Sequence, residues 1–256
     1  MVQEELEAMS RDCVVLKGKL VFVMGGGKFG TRALRYLKAK GAKVLVADVN
    51  SNCTASSEVD VQAAELGVSD SLADGQAAFL VGDAVDLLLG LMETKVPDLV
   101  VTAIPSNAVA KVVEGWLAKR GYKLEPYLKG VPKVLENIPK SLVSVVDEYS
   151  GVIVVSYMAS HMRCRENCMP PKDVCASTGR PKLASMDRLL EFGVYNHVDA
   201  SGILMSRQLT GGLGAIDGKE LHSLLKRLEN LNKPYTLAIG TACDCHGILK
   251  LAKVTK

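Results

Sequence analysis

Residues 19–48 read KLVFVMGGGKFGTRALRYLKAKGAKVLVAD, and this stretch decides the fold of the chain. Residues 19–24 form a short apolar run of the kind that makes a buried parallel strand. Residues 25–30, G-G-G-K-F-G, match the pattern G-x-G-x-x-G. A helical pattern follows, with Phe29, Ala33, Leu34 and Leu37 on one face and Arg32, Arg35, Lys38 and Lys40 largely on the other. Gly41 stops the helix, residues 43–47 form a second apolar strand, and Asp48 ends it. That order suits a dinucleotide. Gly25 permits a tight turn, Gly27 lets a pyrophosphate approach the backbone, and Gly30 lets helix and strand pack closely. Free N–H groups and the positive end of the helix dipole favour the phosphates. Asp48 stands where an acid accepts from a ribose 2′-OH, and it would repel a 2′-phosphate, which predicts NAD(H) rather than NADP(H). The plainer alternative keeps the same Rossmann fold with another nucleotide, or none.

Working outward, composition bounds the class. The chain has 256 residues, enough for one large α/β domain or two small ones. Its net charge of +3 is too small to argue for nucleic acid, and aromatic residues are too scarce for base stacking. Residues 1–13 are acidic without an apolar core, unlike a signal peptide, and no apolar run is long enough to span a bilayer. A cytoplasmic protein with no membrane partner is expected. Homo-oligomerisation is expected only as a prior from similar folds.

Residues 1–12 suit a short acidic helix, and 50–60 a polar loop in which Cys53 is a plain free thiol. Residues 76–82 predict a third strand, with Asp83 capping a helix over 84–93. A fourth strand is predicted over 98–104 and an amphipathic helix with the single tryptophan over 107–119. Pro105 breaks the chain between them, at the mouth of the nucleotide site. Residues 119–140 are polar, carry three prolines and mark a joint, giving a Rossmann domain over 1–140 and a smaller α/β domain over 141–256 that continues the same sheet or forms its own. In the second half the pattern predicts a helix over 142–149, a strand over 151–157, a helix over 183–192 and a strand over 201–205. A glycine-rich loop over 210–218, a helix over 219–231 and a strand over 235–239 complete it. Gly211, Gly212 and Gly214 suit an anion-binding nest or a flexible connection, and Asp217 a helix cap. His197 and His222 are assigned no role.

Seven cysteines is a high count for a chain from a reducing compartment, where thiols more often ligate metals or do chemistry than form disulfides. Cys164, Cys168 and Cys175 are spaced C-x3-C-x6-C, and Cys243 and Cys245 lie in C-D-C-H. Thiolates from two loops are enough for a four-thiolate iron–sulfur cluster or a structural zinc. Neither spacing gives the paired C-x2-C knuckles of a zinc ribbon, which favours the iron–sulfur cluster. Pro170 and Pro171 restrict the first loop. Each cluster follows an apolar strand; if those strands run parallel in one sheet, both clusters leave its carboxyl edge. The alternatives are separate reduced thiols or a redox dithiol of Cys243 and Cys245. His246 suits a further ligand, a proton donor or a cap on a following helix. His161 and Arg163 flank the first cluster as anion binders or as solvated loop residues.

The pieces at 25–30, Asp48, 80–84 (LVGDA) and 100–107 resemble the RCK/KTN nucleotide-binding domain that regulates potassium channels and uptake systems. The resemblance covers residues 19–120. It implies that the glycines and the acid hold NAD or a related adenine nucleotide, that Asp83 lies near the adenine, and that the protein is a sensor. Residues 16–27 with 40–46 are also similar to the NAD-dependent dehydrogenase domain of sirohaem synthesis, which implies tetrapyrrole or metallocofactor biosynthesis. That family carries an acid after its fourth strand; here residues 102–107 read TAIPSN, without a carboxylate.

Together these features predict an α/β protein that binds NAD(H) through Gly25, Gly27, Lys28, Phe29, Gly30, Asp48, Asp83, Ala103 and Pro105. A metal centre held by Cys164, Cys168, Cys175, Cys243 and Cys245 gives it redox character. The partner is a small-molecule substrate or a protein redox partner; the rival is a non-catalytic nucleotide and redox sensor. No His/Asp pair stands out as an acid and base.

Overall fold

The computed structural model describes residues 15–158, 162, 164–165, 167–169 and 171–256. The expected helix over 1–12, Cys13, His161, Arg163 and Pro170 lie outside the described residues. The fold is mixed α/β, with two sheets and, among the described residues, six α-helices.

The first sheet grows from the glycine stretch. Strand β1 (Leu20–Met24) is fully buried and pairs in parallel with β2 (Lys43–Asp48) on one side and β5 (Leu99–Thr102) on the other. Beyond β2 lie β4 (Ala77–Val81) and the short β3 (Val61–Ala63), both parallel. Helix α1 (Lys28–Ala39) crosses between β1 and β2 and buries Ala33, Leu34 and Leu37. Phe29, placed on that face by the pattern, is 56% exposed, because the helix buries Gly30 and Thr31 there instead. Helix α2 (Ala84–Thr94) is capped by Asp83, whose carboxylate accepts from the Val85 and Asp86 amides at 2.8 and 3.1 Å. Helix α3 (Ala108–Ala118) is capped by Asn107. Strand order reverses at β1, the position where open α/β sheets form their ligand crevice.

The stretch 119–140 is not plain linker: it holds β6 (Lys123–Pro126) and the short helix α4 (Val131–Glu136). Residues 142–149 form strand β7 (Val143–Asp147), not a helix, since Val143, Val145 and Val146 pair across β8 (Val152–Ser156). Helix α5 (Met186–Val194) precedes β9 (Ala200–Met205). The glycine-rich stretch is a hairpin rather than a loop, β10 (Arg207–Thr210) with β11 (Leu213–Asp217), and β11 pairs antiparallel with β5. Two strands from the second half thereby extend the first sheet. Asp217 caps helix α6 (Gly218–Glu229) through the Lys219 and Glu220 amides.

The second sheet has the order β7–β8–β13–β12–β9, where β12 is Tyr235–Ala242 and β13 is His246–Thr255; β6 also pairs with β13. No helix follows His246, because the backbone of β13 pairs with β8 on one side and β12 on the other, with Leu249 and Leu251 buried on one face and Val254 on the other. One core joins both sheets: Phe22 and Met24 of the first, Leu88, Trp116 and Leu225 of the intervening helices, and Leu237 and Ile239 of the second belong to a single buried cluster. Helix α1 covers the far face of the first sheet, and α4 and α5 the far face of the second. No helix among the described residues is long and apolar enough to cross a membrane.

Candidate nucleotide cradle and cysteine site

The glycine turn is built by close approach. Gly25 has φ +98°, and a Cβ there would lie 3.0 Å from the Ala103 carbonyl oxygen. A Cβ at Gly30 would lie 1.8 Å from the Gly25 oxygen, so helix and strand meet only because Gly30 has no side chain. A Cβ at Gly27 would meet nothing within 4 Å, which leaves open space over an exposed residue where a phosphate would approach. Helix α1 has no side-chain cap and no acid in its first turn, whereas α2 and α6 have both and α3 is capped by Asn107; α4 and α5 also lack a side-chain cap. The first amides of a helix have no partner within it, so an uncapped start beside open space is suited to an anion.

Asp48 ends β2 and holds the turn: its carboxylate accepts from the Gly26 amide at 2.7 Å and the Asn50 amide at 2.9 Å. A carboxylate has lone pairs left after two such bonds. Lys28 and Phe29 are exposed beside the turn, Ala103 is half-buried beneath it, and Pro105 is exposed. Ser106 adopts φ +72°, a strained conformation for a residue with a side chain, at the crevice mouth. Asp83 is committed to capping α2, one strand farther along. Cys53 packs against the turn, with its sulfur where a Gly26 side chain would be. Nothing in its sequence neighbourhood signals that contact.

The cysteine site depends on sheet topology. Strand β13 runs antiparallel to both β8 and β12, so β8 and β12 run parallel and end on one edge. Ser156 and Ala242, near their ends, stand opposite His246 and Gly247. Cys243, Asp244, Cys245 and His246 form the tight turn between β12 and β13, closed by a bond from the Cys243 amide to the His246 carbonyl at 2.8 Å. From the first cluster, Cys164 reaches this turn. Cys164 Sγ lies 3.3 Å from His246 Nε2, and Cys243 Sγ 3.8 Å from His246 Nδ1. One imidazole thus bridges two thiols 79 residues apart in the chain.

Cys168, Cys175, Cys243 and Cys245 all act electrostatically on Cys164. Burial, then the four neighbouring thiols, push the Cys164 thiol up to about 11. Burial also raises Cys245, against a hydrogen bond from Lys182. At Cys175 burial is outweighed by hydrogen bonds from the Thr178 hydroxyl and nearby amides and by Lys182, so the thiol falls below its ordinary value. Burial, with Lys182 nearby, lowers His246 and favours its neutral form. Lys182 is a member of this site that a lone lysine in a polar loop gives no reason to single out.

The donors are gathered but not closed: among the described residues, no three His, Cys, Asp or Glu side chains converge tightly enough to grip one metal ion. The chemistry of the donor set is nonetheless that of a soft metal, and a neutral imidazole among thiols is a competent ligand. Ser177 Oγ and Asp187 Oδ1, on either side of Lys182, are buried without a hydrogen-bond partner.

Two elements tie the sites together. By the register of β11 on β5, the tip of the β10–β11 hairpin projects past the carboxyl end of β5. There the Cys168 carbonyl accepts from the Gly212 amide at 3.2 Å and from Gln208 Nε2 at 2.8 Å. Arg32 of α1 donates to Asn167 Oδ1 at 2.7 Å and to the Gly211 carbonyl.

Comparison with known proteins corrects the two resemblances suggested by the glycine motif. Neither the RCK/KTN family nor the sirohaem-synthesis dehydrogenase family matches; residues 20–105 match a different model, described as "Uncharacterized protein, N-terminal domain". The quoted motifs are shared by Rossmann folds in general, so they identify the fold and not the family. Residues 97–255 match the companion model, "Uncharacterized protein, C-terminal domain". An uncharacterized protein of Archaeoglobus fulgidus is 31% identical over 231 residues, covering 90% of this chain and 98% of that relative. No solved structure matches. With both of its domain models matched in order and a relative of nearly full coverage, the chain belongs to the AF_1314 family.

Proposed function

We propose that the chain is a cytoplasmic NAD(H)-binding protein of oxidoreductase character whose cysteines hold a metal centre, an iron–sulfur cluster in preference to zinc. One observation carries the reading: parallel β8 and β12 end on one edge and bring Cys164 and Cys243 to the two nitrogens of His246, with Cys168, Cys175 and Cys245 in electrostatic reach. A single zinc draws its thiolates to about 2.3 Å from one atom. The spacings C-x3-C-x6-C and C-x-C lack the paired C-x2-C knuckles of a zinc ribbon, which favours an iron–sulfur core. Bound NAD(H) supplies hydride-transfer chemistry and a thiolate-ligated metal supplies electron storage or Lewis acidity. The chain's own part is to hold the two groups. Gly25, Gly27 and Gly30 shape the cradle, Asp48 stiffens its turn and offers spare lone pairs to a ribose, and Lys182 places positive charge beside the thiols.

The test is anaerobic purification with metal analysis and absorption spectroscopy, followed by NADH titration. About four irons per chain with a broad band near roughly 400 nm supports the cluster; one zinc redirects the site to a structural ion. NADH oxidation with an artificial acceptor should be lost in Cys164→Ala. Binding of both groups without turnover would instead assign a nucleotide and redox sensor.

A further inference from the structure

The contact between α1 and the first cysteine loop has no part in shaping either site on its own. Arg32 lies two residues beyond Gly30, on the helix whose first turn forms the nucleotide cradle. Its guanidinium donates to Asn167 Oδ1, inside the Cys164-x3-Cys168 segment, and to the carbonyl of Gly211 at the hairpin tip. The same tip carries the amide that holds the Cys168 carbonyl. Gly211 approaches the loop so closely that a Cβ would lie 2.6 Å from the Asn167 oxygen, so backbone rests on backbone. Tyr36, one turn farther along α1, donates to the Leu209 carbonyl of the same hairpin at 2.9 Å. The segment that carries two candidate ligands is thereby fastened to the helix that starts at the glycine turn.

We propose that Arg32 is a positioning residue that couples the two sites, so that filling the cysteine site tightens nucleotide binding and the nucleotide tightens metal retention. The inference rests on the reading given above, in which both sites are loaded. Thiols that share a metal hold Cys164 and Cys168, and with them Asn167 against Arg32, which steadies α1 one turn beyond its start. When the thiols are not joined, Asn167 is held only by its contacts to Arg32 and the hairpin tip, and nucleotide binding must bear the cost of steadying α1. Two ligands that order the same element bind with positive coupling, and the coupling is reciprocal. A planar guanidinium can donate to two acceptors at once, which an ammonium does less well.

The experiment uses the full chain in two forms, stripped with a chelator under anaerobic reduction and reloaded with zinc ion as the probe. NADH affinity is measured by titration calorimetry on each. In the wild type, zinc loading should tighten NADH binding by about fivefold or more, within the usual range of coupling between sites. In Arg32→Ala the ratio between the two forms should fall to about one while both ligands still bind, and Arg32→Lys should restore part of it. Asn167→Ala, on the exposed side of the contact, should give the same loss and guards against misfolding of the helix variant. A ratio unchanged in Arg32→Ala and Asn167→Ala, or a ratio of one in a wild type that binds both ligands, overturns the coupling. A wild type that binds no NADH or no metal overturns the underlying reading, and the coupling with it.

Discussion

Two glycines three residues apart separate architecture from ligand contact. At Gly30 a methyl group would collide with the Gly25 carbonyl, so Gly30→Ala should destabilise the fold by about 1–3 kcal/mol, as forced overpacking does. At Gly27 the backbone is at φ −73°, open to any residue, and the space is empty. Gly27→Ala should therefore leave the thermal midpoint nearly unchanged, within about 0.5 kcal/mol, yet weaken NADH binding severalfold. Thermal melts and NADH titration of the pair check this; a Gly27→Ala protein that binds NADH like wild type would remove the phosphate from that space. A second residue gives a pH dependence. Tyr235 is 5% exposed and its hydroxyl donates to the Leu228 carbonyl at 2.9 Å. Burial pushes its ionisation up to about 12. Between pH 10 and 12 the unfolded chain loses this proton while the folded chain keeps it, so stability falls as pH rises through that window. In Tyr235→Phe that portion of the alkaline decline should vanish in denaturation curves, at a cost of about 1 kcal/mol at neutral pH for the lost hydrogen bond.

At the scale of elements, the cysteine turn is held from behind by α5. The Met186 amide donates to the Cys243 carbonyl at 3.2 Å, and Leu190 packs against Gly247, one residue past His246. A Cβ at Gly247 would stand 2.6 Å from Leu190 Cδ1 and 3.2 Å from Met186 Cγ. Gly247→Val should push α5 off the turn and lower stability by about 1–3 kcal/mol. Tryptic cleavage in residues 171–188 should accelerate with it, since that stretch is anchored by the same helix. Equal cleavage rates in variant and wild type would show that the turn is held without α5. Helices α2, α3 and α6 have polar caps while α1, α4 and α5 do not; of the uncapped three only α1 starts at the glycine turn, beside the open space at Gly27, which makes its start the one suited to an anion.

Across the whole molecule, the two sheets are joined at several points. Strand β11 covers the edge of β5, β6 pairs with β13, and Asn107 Nδ2 donates to the Ile239 carbonyl at 3.1 Å. Trp116, the single tryptophan, sits on this join: its Nε1 donates to Glu229 at 3.2 Å, Arg120 stacks on its ring at 3.6 Å, and His222 meets it edge-on. Its emission therefore reports the union of the halves. Chemical denaturation should give one transition, coincident by Trp116 fluorescence and by far-ultraviolet circular dichroism. A fluorescence change well before the loss of secondary structure would show that the halves part first.

Period and punctuation were enough to place β1, α1, β2, β4, α2, β5 and α3, because each is a local solution: an apolar run, a glycine stop, an acid or amide at the cap. The same local chemistry marked the cysteines of 164–175 and 243–245 as two clusters and Asp217 as a cap. Local pattern failed where a partner decided the outcome. Residues 142–149 become a strand because β8 offers an edge, 213–217 because β5 does, and 246–255 because two strands flank it. The glycine motif likewise could not choose among families, since any chain that brings a helix against a strand at that angle needs the same glycines. What the sequence by itself determined was which atoms are available: a bare helix start, an acid at a strand end, five thiols in two short loops. Only the tertiary structure decided that β13 lies between β8 and β12 and that Arg32 reaches Asn167, because the register of paired strands fixes distances that separation along the chain leaves open.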